Sequence, residues 1–119
     1  MRTRRYNLEI NQGEDYKRAI SAFAPNEEAP DQLPGQPQDL TGWSVAGQIR
    51  STPTSEILLH QLDVSTSGTD VILFIPASAS SGWDWLHGWY DIEISSPDGA
   101  QARFLKGEVI VDPEVTREG

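Results

Sequence analysis

Trp89-Tyr90-Asp91-Ile92-Glu93-Ile94-Ser95, then Pro97-Asp98-Gly99, then Gln101-Ala102-Arg103-Phe104-Leu105, is the stretch that decides the fold class. Tyr90, Ile92 and Ile94 share one parity, and Asp91, Glu93 and Ser95 share the other. A period of two marks a strand with one dry face and one wet face. Pro97-Asp98-Gly99 reads as a hairpin turn, because proline presets the first bend and glycine tolerates positive φ. The return strand runs from Gln101 through Leu105 to Val111, with Gly107 expected as a bulge or bend, and Asp112-Pro113 ends it. Trp89 has the parity opposite to Tyr90. A regular strand therefore sends one of them into the core and the other to a rim or contact surface.

The same pattern extends upstream. Val71-Ile72-Leu73-Phe74-Ile75 is an apolar run of strand length. Trp43, Val45, Gly47 and Ile49 share a face of a strand ending at Arg50, launched by the turn Asp39-Leu40-Thr41-Gly42. Residues 56–62 and 15–23 are further strand candidates, and Tyr6-Asn7-Leu8-Glu9-Ile10 alternates cleanly. Residues 63–70 read as a polar stretch with Gly68. Residues 76–86 form the one expected helix, short and weak because of its serines and Gly82. Residues 25–38 hold four prolines, Pro25, Pro30, Pro34 and Pro37, and read as a long exposed loop. The sum is seven or eight short strands and one short helix. That predicts an all-β fold, a single antiparallel β-sandwich of Ig-like or jelly-roll-like type over residues 6–113. Residues 1–5 are expected as a flexible basic tail and residues 114–119 as a C-terminal tail.

A chain of 119 residues with 37% hydrophobic content suits one core. It contains no cysteine, which removes disulfides, thiolate metal sites and cysteine nucleophiles. No apolar run approaches the ~18 residues of a bilayer span, so no membrane partner is expected. The basic Met1-Arg2-Thr3-Arg4-Arg5 is followed by no uninterrupted apolar core, so no signal peptide is expected either. The net charge of −9 repels phosphate backbones and argues against nucleic acid. Arg2, Arg4 and Arg5 are one basic cluster, a solvated tail or an arm that docks an acidic neighbour.

The sequence carries no catalytic motif. His60 and His87 lack the spacing of convergent metal ligands and read as satisfied structural histidines. Asp91 and Glu93 share a strand face, as glycosidase carboxylates can, but alternate acids on a wet face ordinarily serve solvation. No catalytic residue, metal site or cofactor is expected. Trp83, Trp85 and Trp89 lie within seven residues. They suit a plug for the open end of the sandwich, a protein contact, or a sugar-stacking platform.

The order of segments resembles a family of small virion proteins of tailed bacteriophages and prophages. The resemblance lies in Leu40-Thr41-Gly42-Trp43 leading to Ile49-Arg50, in Gly88-Trp89-Tyr90-Asp91-Ile92-Glu93-Ile94, and in Asp98-Gly99. It ends in Leu105-Lys106-Gly107-Glu108-Val109-Ile110-Val111-Asp112-Pro113-Glu114-Val115-Thr116-Arg117. These segments also resemble, less closely, the N-terminal β-domain of phage baseplate upper proteins, which attach tail fibres. The resemblance implies a component of the virion tail or baseplate, assembled in the host cytoplasm. It further implies symmetric multiple copies, with other phage structural proteins as partners. A capsid cement protein and a carbohydrate-binding module are the alternatives. The expected contact residues are Arg2, Arg4, Arg5, Pro25, Pro30, Pro34, Pro37, Trp83, Trp85 and Trp89.

Overall fold

A computed structural model describes residues 3–23 and 37–113. Among them nine strands and one helical turn make two packed sheets, an all-β sandwich. The larger sheet holds β1 (Arg4–Arg5), β2 (Leu8–Asn11), β4 (Ser44–Arg50), β5 (Leu58–Gln61), β8 (His87–Ser95) and β9 (Gln101–Asp112). The smaller holds β3 (Tyr16–Ser21), β6 (Asp63–Ser67) and β7 (Asp70–Ile75), and α1 (Ala77–Ser80) follows β7. The larger sheet is ordered β1–β9–β8–β4–β5, with β2 also on β9, and the smaller β3–β7–β6.

Alternation along each strand builds the core. Tyr90, Ile92 and Ile94 of β8 point inward with Leu105, Val109 and Val111 of β9 and Ile49 of β4. They meet Val71, Leu73 and Ile75 of β7 and Tyr16 of β3. Burying an aliphatic side chain of this size contributes roughly 1.5–3 kcal/mol. The chain changes sheets at Leu62. Its amide donates to the Gly47 carbonyl at 2.9 Å, and its side chain lies 3.0 Å from where a Gly47 Cβ would stand. Glycine at 47 thus lets the crossing lie flat on β4.

The β8–β9 hairpin forms as its turn residues dictate. Gly99 N donates to Ser96 O at 2.9 Å, and Gly99 takes φ +92°. The launch turn of β4 packs against it. Thr41 N and Oγ1 both donate to Asp39 Oδ1, at 3.0 and 2.7 Å. Gly42 lies so close to Pro97 that an added Cβ would be 3.2 Å from its ring.

Several expectations change. The bulge of β9 falls at Phe104, not Gly107, because Ile92 pairs with Leu105 while Glu93 pairs with Arg103. Phe104 and Leu105 are consequently both buried. Gly107 has a different task. A Cβ there would collide with the Tyr6 carbonyl, so the missing side chain lets the N-terminal segment lie against β9. Residues 63–67, read only as a polar stretch, form a strand, since Val64 and Thr66 half-bury one face while the serines stay wet. The helix shrinks to the single turn α1, because from Gly82 the chain turns to bring Trp83 and Trp85 onto the core. The sandwich is mixed rather than purely antiparallel, since β1 and β2 run parallel to β9. Arg4 and Arg5, expected in a tail, form β1. Pro37, expected inside the long loop, pairs in an isolated bridge with Phe23, and Gln38 N donates to Ala22 O at 2.8 Å. Arg2, Pro25, Pro30, Pro34 and the tail 114–119 lie outside the described residues.

Candidate functional site

The outward face of the larger sheet carries the residues that β8 and β9 do not bury. Pairing sets Gln48, Asp91 and Lys106 side by side across β4, β8 and β9, and Arg5 of β1 lies next to Lys106. Arg50 and Trp89 make the neighbouring row. The bulge at Phe104 turns Arg103 onto this face, where its Nε stands 3.4 Å from Asp91 Oδ2.

These side chains line a groove of about 310 Å³, together with Thr52 and Pro53 of the β4–β5 connection. It gathers Arg5, Arg50, Arg103 and Lys106 around the single carboxylate of Asp91. The Arg50 guanidinium is fixed by neutral acceptors, Gln48 Oε1 at 2.6 Å and Ser55 O at 3.3 Å. Arg5 stacks over the Trp89 ring at 5.9 Å, a cation–π contact that pins one wall. Among the described residues, Arg5, Arg50 and Lys106 have no carboxylate within ion-pair distance.

The groove therefore unites two expected contact residues, Arg5 and Trp89, with five that were not singled out for contact: Gln48, Arg50, Asp91, Arg103 and Lys106. Outward parity on β4 and β8 was the signal for Gln48, Arg50 and Asp91. The unforeseen bulge hid the link between Arg103 and Lys106. Of the other expected contact residues, the described Arg4, Pro37, Trp83 and Trp85 do not line the groove. Arg4 donates to the Ser21 carbonyl of β3 and stands 5.0 Å over the Phe104 ring, so it ties the two sheets together.

Trp83 and Trp85, both half-buried, pack against the core. Their rings stack at 4.4 Å, and His60 meets Trp83 edge-on at 5.2 Å. Gln12 Nε2 reaches the Trp83 carbonyl at 2.9 Å and the Ser80 carbonyl at 3.0 Å, which joins this region to the β2–β3 turn. His60 was expected to be satisfied. Its buried Nε2 has no hydrogen-bond partner among the described residues, and burial lowers its pKa from 6.5. Burial disfavours the charged form of the ring, which packs edge-on against Trp83. His87, on the outward face, approaches Glu108 at 3.9 Å.

Among the described residues no cluster of three or more His, Asp or Glu side chains is placed to hold a metal ion. Asp91 and Glu93 share the wet face, but Arg103 faces Asp91, so the two acids do not frame a cleft of their own. No family model matches the chain, and the search of curated proteins finds no match. The arrangement sets four cations and an aromatic ring around one carboxylate on the face of a paired sheet.

Proposed function

We propose that the protein is a structural subunit of a tailed-bacteriophage virion, placed in the tail or baseplate as a tail-fibre attachment or adaptor protein. It works by non-covalent assembly in multiple copies, without catalysis. One observation carries this reading: the segments that resemble the phage family coincide with the contacts that organise the fold. The Leu40-Thr41-Gly42 turn packs on Pro97. The strand ending Ile49-Arg50 pairs with β8 from Trp89 to Ser95. Gly107 of the closing segment receives the N-terminal strands.

The fold also leaves surfaces suited to neighbours. Among the described residues β3, β5 and β6 each pair on one side only, which leaves backbone donors and acceptors for strand addition. Ile57 and Leu58, at the start of β5, are 64% and 46% exposed, an apolar step beside such an edge.

Cryo-electron microscopy of particles from the phage or prophage that encodes the chain tests the proposal. Density for the sandwich at the tail tip or baseplate is the expected result. Density on the head would replace the tail reading with a decoration role. Absence from the purified particle would end both.

A further inference from the structure

We propose that the groove between Arg5, Arg50, Arg103 and Lys106 is a docking site for an acidic polypeptide segment of a partner protein. Its carboxylates would lie among the four cations, and an apolar side chain would rest beside Trp89. The inference rests on the reading of the protein as a contact-forming subunit, not on its place in a particle.

Charge distribution is the first argument. The chain has nine basic and eighteen acidic residues, yet four of the nine basic ones line this one groove, with Asp91 the single acid there among the described residues. Among the described residues, the other three basic side chains, Arg4, Lys17 and Arg18, stand against twelve acidic ones. Asp91 is engaged by Arg103, so three cations face solvent without a carboxylate partner among the described residues. Cations on neighbouring strands repel one another, and a bound carboxylate relieves that repulsion.

Geometry is the second. All four cations stand on strands of one paired sheet, β1, β4 and β9, so the backbone that carries them is already ordered when a ligand arrives. Outward side chains recur every ~7 Å along a strand and about every 5 Å across strands. That spacing matches alternate carboxylates of an extended segment. The Arg50 guanidinium is already oriented by Gln48 and Ser55, and arginine grips carboxylate through paired N–H donors.

Discrimination is the third. Asp91 places negative charge inside the groove, and the chain as a whole carries −9. Both oppose a long polyanion such as a nucleic acid more strongly than a short acidic segment, because repulsion accumulates along the ligand.

The test uses the full-length chain and a capped pentapeptide of alternating glutamate and leucine. Calorimetry at low salt should show saturable one-to-one binding that weakens as salt screens the charges. The same peptide with glutamine for glutamate should not bind. Arg103→Gln combined with Lys106→Gln should weaken binding by about tenfold or more while melting is unchanged, because both side chains are solvent-facing. Trp89→Phe should weaken binding less than the double variant does, and should lose the accompanying fluorescence change. Equal affinity for the glutamine peptide, or for the double variant, would overturn the proposal. Tighter binding of a short DNA duplex would also overturn it, in favour of a phosphate site. A salt-sensitive dimer of the peptide-free chain, abolished by Lys106→Glu, would overturn the choice of partner in favour of a second copy. None of these outcomes depends on where the protein sits in a virion.

Discussion

The two edges of β9 are built by opposite means. On one edge β8 arrives through the short link 96–100 and pairs antiparallel from Ser95 with Gln101 to His87 with Ile110. On the other, β1 and β2 arrive from the far end of the chain and pair parallel, and the Asn7–Glu108 contact spans 101 residues. The near edge is specified by turn chemistry, and closing it costs little entropy. The far edge has no turn to set its register. It depends on three features instead: the empty space at Gly107, the Tyr90 hydroxyl donating to the Tyr6 carbonyl, and Asn7 Oδ1 accepting from Glu108 N at 3.0 Å. Local pairing is thus written in a few adjacent residues, and distant pairing in a vacancy and two polar clasps.

The most damaging way to break both edges together is Ile92→Asp. Ile92 is 0% exposed and sits opposite Leu105. A carboxylate there has no partner, and the loss should reach about 4 kcal/mol or more. Chemical denaturation followed by circular dichroism reads it, and an unchanged midpoint would show that Ile92 does not face the core. Gly107→Val separates the edges. It should cost about 2–4 kcal/mol through collision with the Tyr6 backbone. Hydrogen exchange should quicken at Tyr6 and Gln12, whose amides donate to Lys106 O and Asp112 O, while the β8–β9 amides stay slow. Uniform quickening would mean that the two edges are one cooperative unit.

Tyr90→Phe removes only the clasp, and should cost about 1–2 kcal/mol by leaving the Tyr6 carbonyl without that donor. It also predicts a pH effect. Burial raises the phenol of Tyr90 above its ordinary 10.0, and burial first of all pushes Tyr16 up to about 12. The unfolded chain loses these protons near its ordinary value while the folded chain keeps them. The stability they contribute is therefore complete below about pH 10 and falls as pH rises through about 12. Denaturation midpoints at about pH 9 and about pH 11 should diverge less for Tyr90→Phe than for the wild-type chain. Equal divergence would place the alkaline loss elsewhere.

The same contrast explains how much could be read from sequence. The hairpin, the inward triplet Tyr90, Ile92 and Ile94, the apolar β7 and the two-sheet sandwich were all legible, because period-two patterning and Pro-Asp-Gly act over a few residues. Parallel addition of residues 4–11 was not, because nothing near Arg4 and Arg5 announces a partner a hundred positions away. The strand at 63–67 was hidden by its polarity, which an edge strand with one wet face tolerates. At the groove, Arg5 and Trp89 stood out by residue type, whereas Arg50, Arg103 and Lys106 converge only after the register and the Phe104 bulge are known.

The smallest expected effects distinguish two reasons for needing glycine. Gly99 takes φ +92° and has nothing within 4 Å of an added Cβ, so Gly99→Ala should cost only about 1 kcal/mol, all of it backbone strain. Gly107 has no positive φ among the described residues, so its cost is wholly a matter of space. Asparagine tolerates the left-handed region better than alanine does. Gly99→Asn should therefore be milder than Gly99→Ala, while Gly107→Asn should be harsher than Gly107→Ala because it is larger. Melting temperatures of the four variants decide the matter. The same order at both positions would mean that the near and far edges of β9 are held by one kind of constraint, and the reversed order would mean two.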